Sequence, residues 1–238
     1  MIVDELPATG DLLFRWRSYL PLVLLPLFVL SLRDDRPPAP FSFELFCFAI
    51  ALSGLCLRAI VVGAAPPGTS ARGTTQPTAD QLNTLGAYSI VRHPLYLANT
   101  LIWLGCALLS GTWYLPVIVA LVSFIYHERI AAREEAFLLQ RFGDRFRAWA
   151  AGVPALIPSF SSYRPSGVRF QPWKAFMQES HGLAAIGTAF LVLDTLEDSA
   201  RLHRLAVDQR WAWVFVATLV PLVFVVVSKQ STRRMAKL

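Results

Sequence analysis

Apolar runs approaching the roughly 20 residues needed to cross the hydrocarbon core of a bilayer recur along this chain, and they restrict its fold more than any motif does. Pro, Gly and charged residues separate them into candidate spans at about Tyr19 to Leu32, Phe41 to Ala64, Leu95 to Leu109, Trp113 to Tyr126, Gly182 to Leu196 and Trp211 to Ser228. Several are shorter than a perpendicular crossing requires, a mismatch that flanking residues or burial within a bundle absorbs. The expected fold is all-α, a polytopic membrane helical bundle of about six transmembrane helices. Composition agrees, since 55% of the residues are hydrophobic and 16% charged, against about a quarter charged in an ordinary soluble domain.

Asp4, Glu5 and Asp11 precede the first apolar run and no small-residue cleavage pattern follows it, so the first span is expected to stay in the mature protein. Cys47, Cys56 and Cys106 fall inside apolar stretches without paired spacing, which reads as core packing and not as disulfide or zinc chemistry. His93, His127, His181 and His203 are too scattered for metal spacing, and no metal is expected.

The net charge of +6 follows loop topology. One set of alternate loops holds Arg15, Arg17, Arg72, Arg92, Arg129, Arg133, Arg141, Arg145, Arg147, Arg164, Arg169, Lys174, Lys229, Arg233, Arg234 and Lys237, whereas the other holds Arg33, Arg36, Arg201, Arg204 and Arg210. The side with the excess is normally cytoplasmic. Both termini and the long segments Ala65 to Val91 and His127 to His181 are therefore expected in the cytosol. No basic stripe interleaved with aromatics points to nucleic acid. No fixed-period repeat is evident, and Ala65 to Pro77 reads as a loop.

Polar chemistry gathers in two places. Leu82 to Tyr96 sets Tyr88, Arg92 and His93 directly before an apolar helix, with Pro94 suited to its first turn because the missing N–H would lack an intrahelical partner there. Arg92 snorkelling to lipid phosphate and His93 capping backbone would be the bland account. After the fourth apolar run, Glu134 and Glu135 lie among Arg129, Arg133 and a hydrophobic rhythm in which Glu135 would share a helix face with Leu139, Phe142, Phe146 and Trp149. A carboxylate heading an apolar stripe needs a partner, for which Arg92, Arg129, Arg133 or a bound cation qualify. Glu128, Arg141 and Arg147 read as an ordinary charged helix surface. Arg58, near the cytoplasmic end of the second span, calls for a pairing or functional partner, with snorkelling to the interface as a near-equal alternative. Glu197, Asp198, Arg201, Arg204, Asp208 and Arg210 read as a solvated external surface.

These two motifs resemble the isoprenylcysteine carboxyl methyltransferase and phospholipid methyltransferase family of integral membrane enzymes. Arg92, His93, Pro94 and Tyr96 match its Arg-His-Pro-x-Tyr-x-Gly motif, with Ala98 in place of the glycine. Glu134, Glu135, Phe142, Gly143, Phe146, Val153, Pro154, Ile157 and Pro158 match its second motif. The resemblance is good from about Leu82 to Phe160 and weaker over Leu52 to Ala64. It implies S-adenosyl-L-methionine as cofactor, bound without a Rossmann domain, in agreement with the absence of a Gly-x-Gly-x-x-Gly sequence after a strand. Tyr88, His93, Tyr96, Glu134 and Glu135 would line the cofactor pocket, and Arg92 and Arg129 would orient an anionic acceptor oxygen, with Arg133 as an understudy.

The implied organisation is an N-terminal transmembrane hairpin (1–64), a methyltransferase core with cytosolic cofactor-binding segments (65–160), and a C-terminal linker and hairpin (161–238). The chain looks most like a bacterial branch, some of whose members are similar to lipid A phosphate methyltransferases, which implies an inner-membrane protein with its cofactor site toward the cytoplasm. The expected acceptor is a phosphate or carboxylate oxygen of a lipid or lipid-linked molecule. Phospholipid N-methylation, an NADPH-dependent reductase of the sterol or steroid type, and a catalytically silent scaffold are the alternatives. Arg92-His93-Pro94 and Glu134-Glu135 sit at the ends of neighbouring spans joined by the Ser110-Gly111-Thr112 turn and are expected to face each other.

Overall fold

Proline decides where several helices begin or break in this computed structural model, which describes residues 13, 20–32, 37–66, 69 and 79–235. Expectations placed on Asp4, Glu5, Asp11, Arg15, Arg17, Arg33, Arg36, Gly68, residues 70–74 and Lys237 lie outside the described residues, as do the side chains of Arg233 and Arg234.

The first apolar run forms two short helices, α1 (Leu20–Val23) and α2 (Leu25–Ser31), with proline in the first turn of α2. Pro26 has no N–H to donate and its ring would collide with the carbonyl one turn back, so the expected single span is interrupted. Helix α3 (Phe41–Gly63) starts directly after Pro40, and α4 (Pro94–Leu109) has proline in its first turn. Helix α5 (Tyr114–Phe142) runs far past the expected end at Tyr126 and carries both glutamates out of the apolar stretch. At Gly143, with φ +53°, the chain turns into α6 (Asp144–Gly152). Helix α7 (Pro172–Leu202) begins ten residues before its apolar stretch at Gly182, and α8 (Gln209–Met235) contains Pro221. Among the described residues the architecture is all-helical, apart from one isolated bridge between Gly86 and Arg164.

Three helical stretches, Phe41–Gly63, Tyr114–Phe142 and Gln209–Ser231, are long and apolar enough to cross a membrane, and Pro94–Leu109 is a shorter apolar helix. Leu45, Phe46 and Ile60 on α3, Leu121, Phe124 and Ile125 on α5, and Val220, Val223 and Val227 on α8 point outward and are exposed. Rows of outward aliphatic side chains on long helices are stable in lipid and costly in water.

Inside the bundle α3 packs chiefly on α4 and α7, and α7 on α8. Lipid tails are as apolar as leucine, so close van der Waals packing between helices has to replace the hydrophobic drive. Small residues make this possible: a Cβ added to Gly54 would stand 2.5 Å from the Ala98 carbonyl oxygen, and one on Gly105 would stand 2.7 Å from the Cys47 carbonyl oxygen. Ala98 is fully buried on the α4 face that meets α3. The exchange of the motif glycine for alanine therefore lies in a helix–helix contact. Near the other end Phe48 packs edge-on against Phe190 and Trp211, which are tilted on each other, with centroids 5.0 to 5.4 Å apart, and Trp211 Nε1 donates to Glu44 Oε2 at 2.8 Å.

Candidate functional site

His93 stands immediately before the first turn of α4, with φ −125° and ψ 64°, so its backbone is outside the helix while its ring is turned inward and buried. The segment ahead of it is tied to the chain that follows α6. Gly86 N–H donates to the Arg164 carbonyl at 2.8 Å, Ser159 N–H to Ile90 at 2.8 Å and Arg92 N–H to Pro154 at 2.8 Å. Trp149 Nε1 donates to the Tyr88 carbonyl at 3.1 Å. The Val153-Pro154 and Ile157-Pro158 part of the second motif thus clamps the backbone of the first.

Against this clamp the long α5 brings its glutamates. Arg92 Nη1 donates to Glu135 Oε2 at 2.8 Å, and His93 Nε2 lies 2.8 Å from Glu135 Oε1. One carboxylate therefore holds two consecutive residues of the first motif. Glu134 lies on the other edge of the imidazole, its Oε2 3.7 Å from His93 Nδ1. Burial pulls the His93 pKa down, but hydrogen bonds and charge from Glu134 and Glu135 outweigh it and leave the value raised. Tyr88 is raised by burial and by the charge of Glu134, so its phenol stays protonated. Arg92 Nε is buried without a hydrogen-bond partner, although the far end of the guanidinium is paired.

A run of stacked rings leads from this cluster along the bundle. His93 stacks on Tyr96 at 5.3 Å, Tyr96 on His127 at 4.9 Å, and His127 on Trp103 at 5.3 Å. His127 Nδ1 also lies 3.2 Å from Thr100 Oγ1. Sequence reasoning passed over His127 as one of four scattered histidines. The signal was the spacing Tyr96, Thr100, Trp103, which puts three ring or hydroxyl groups on one face of α4.

Tyr88, Arg92, His93, Tyr96, Glu134 and Glu135 are thus brought together. Arg129 and Arg133 lie half-buried on α5, before the glutamate pair. The expected continuous face from Glu135 to Trp149 is corrected, because Gly143 ends α5 and redirects the chain. Phe146 is instead buried on α6, 5.7 Å edge-on from Trp149. Arg141 and Arg147 make exposed pairs with Asp80 and Asp144, as a charged helix surface does. Arg58 finds its partner in Glu179, with Nε to Oε2 at 2.7 Å, and donates to Asn99 Oδ1 at 2.6 Å. Glu179 is buried on α7 and was not singled out in the sequence.

Residues 48–145 match the phospholipid methyltransferase family. The resemblance carried by the two motifs is thereby confirmed, and the match encloses α4, α5 and all six clustered residues. The chain is 34% identical over 83 residues to the cobalt-zinc-cadmium resistance protein CzcN of Cupriavidus metallidurans, covering 35% of this chain and 38% of the relative. It is 34% identical over 77 residues to the protein-S-isoprenylcysteine O-methyltransferase of Schizosaccharomyces pombe, covering 32% of this chain and 33% of that enzyme. The nickel-cobalt-cadmium resistance protein NccN of Alcaligenes xylosoxydans xylosoxydans is 33% identical over 84 residues, 35% of this chain and 39% of the relative. The matched part thus spans little more than a third of these curated relatives. No solved structure matches the chain. The family segment ends before Phe146, so the Pro154 and Ser159 clamp on Arg92 and Ile90 lies beyond it.

Proposed function

We propose that this chain is an S-adenosylmethionine-dependent membrane methyltransferase that acts on an anionic oxygen, phosphate or carboxylate, of a lipid or lipid-linked substrate. The observation that carries the reading is the Arg92–Glu135–His93 cluster at the mouth of α4, inside the segment that matches the family. Its chemistry fits the cofactor. The buried Arg92 Nε needs an acceptor, which an anionic substrate oxygen would supply, and Glu134, beside Tyr88 and His93, has oxygen acceptors for an amino group or ribose hydroxyls of the cofactor. The stacked His93 and Tyr96 rings border the same cluster.

When bound, the cofactor supplies a methyl group on a sulfonium that leaves as a neutral thioether. The chain's residues would align the acceptor oxygen and exclude water. An anionic oxygen needs no base, so the role left for Arg92 and Arg129 is to orient it. In this reading residues 65–160 form the catalytic unit, flanked by the hairpins 1–64 and 161–238, with both termini and the cluster on the cytoplasmic side of a bacterial inner membrane.

The test is to incubate the purified protein with methyl-labelled cofactor and a total lipid extract, and to identify labelled species by mass spectrometry. Label on a lipid phosphate or carboxylate is expected. Label on an amine would instead identify a phospholipid N-methyltransferase. Thermal protection by NADPH and not by S-adenosylmethionine would overturn methyl transfer altogether. Arg92→Ala and Arg129→Ala proteins that are folded yet fully active would remove the orienting role.

A further inference from the structure

From Ala155 to Gln178 the chain contains Arg164, Arg169 and Lys174 and no acidic residue. The same stretch presents Ile157, Phe160, Tyr163, Phe170, Trp173 and Phe176, all exposed, with Ile157 at 82% and Phe160 at 76%. A linker lying in water has no reason to present so many large apolar side chains together. The segment is also pinned across the ends of membrane helices. Gln171 N–H donates to the carbonyl of Gly63, the last residue of α3, at 2.9 Å, and the Phe170 ring covers Gly63 so closely that a Cβ there would meet it at 2.2 Å. Trp173 and Phe176 contact Phe224 with centroids 6.1 and 6.2 Å away. Phe224 lies inside the apolar stretch of α8 that ends at Ser231, roughly 10 Å along the axis from that end. The segment therefore stands at the level of a bilayer boundary, where aromatic and basic side chains are both accommodated.

We propose that residues 155–176 form a belt resting on an anionic phospholipid surface, with Ile157, Phe160 and Tyr163 entering the acyl boundary and Arg164 and Arg169 meeting head-group phosphates. The inference is independent of the reaction proposed above. Because Pro154 and Ser159 at the start of this belt hold the backbone of Arg92 and Ile90, the mouth of the candidate site opens at the lipid surface. A lipid head group would reach it without leaving the bilayer.

The experiment uses the full chain in nanodiscs of phosphatidylcholine, with and without about a third phosphatidylglycerol. A nitroxide is placed at Phe160→Cys, with Ile157→Cys as a second site and Asp144→Cys as a water-exposed reference, in a Cys56→Ser background. In anionic discs the labels at 157 and 160 should collide with oxygen in preference to a water-soluble nickel chelate, unlike the label at 144. In neutral discs the preference should weaken. Arg164→Gln and Arg169→Gln should each lower the docked-to-undocked ratio by about fivefold. Labels at 157 and 160 that behave like the one at 144 in both lipids would overturn the belt. Docking that ignores lipid charge and both arginine substitutions would overturn the anionic surface as its partner, as would protection that appears only when a soluble protein is added.

Discussion

Glu134 and Glu135 are neighbours in the chain but differ in what they touch. Glu135 is held by both Arg92 and His93 at 2.8 Å, whereas Glu134 approaches only the far side of the imidazole, at 3.7 Å. Glu135→Gln should therefore weaken the fold by roughly 1.5–3 kcal/mol, the range for a hydrogen bond to a charged group, read as a lower melting temperature. Glu134→Gln should lower the melting temperature less than Glu135→Gln and remove protection by S-adenosylmethionine; equal melting losses in the two variants would contradict the division. His93 adds a pH signature. Its folded pKa is raised above 6.5, so the stabilisation from the charged imidazole is complete below that value and is lost as pH rises through the raised folded value. Melting temperature in nanodiscs should fall on going from about pH 6 to about pH 9, and His93→Gln should flatten that fall.

Helices α3 and α4 approach through small residues, which makes their contact sensitive to added volume. Gly105→Val would force atoms into the backbone of Cys47 and Ala51, both 2.7 Å from the position of a Cβ. Overpacking of this kind costs about 1–3 kcal/mol and should lower thermal stability without changing the cofactor specificity of the folded fraction. At Gly143 nothing lies within 4 Å of an added Cβ, so space is not the constraint. Its φ of +53° with ψ −124° is, and Gly143→Ala should cost roughly 1–3 kcal/mol through backbone strain at the α5–α6 turn. A neutral result there would mean that the turn relaxes into a continuous helix. The heptad-like rhythm from Glu135 to Trp149 was legible as helix but not as two helices, because only the backbone conformation at one glycine separates them.

For the whole molecule, the uneven sorting of Lys and Arg predicts a sidedness that thiol labelling in oriented membranes can read. Cysteines replacing the exposed Asp80 and Asp144 should react with an impermeant reagent from one side, and a cysteine replacing the exposed Trp113 from the other. Labelling of all three from one side would break the topology on which a cytosolic cofactor site depends. The lateral order of the bundle was not readable in this way. Arg58 and Glu179 are 121 residues apart, Arg58 alone a charge within an apolar helix and Glu179 a charge in the polar opening turns of α7. Their pairing shows that α7 packs on α3, which no local pattern encodes.

Hydropathy, proline placement and the two ordered motifs were enough to establish an all-helical membrane bundle, the start of α4 at Pro94 and the family that the central segment matches. Each of these depends on residues close together in the chain or on the solvent that surrounds it. The facing of Arg92-His93-Pro94 and Glu134-Glu135 was expected from the topology, but the choice of Arg92 and His93 together as the partners of Glu135, the stacking of His127 on Tyr96, and the clamp of Pro154 and Ser159 on the first motif depend on contacts between distant segments. Such contacts arise from how helices of given length and facing are packed, and only the tertiary structure decided them. The sequence set Glu135 at the head of an apolar stripe and left its partner open among Arg92, Arg129, Arg133 and a bound cation; packing gave it two partners and left the Glu134 carboxylate at the edge of the site.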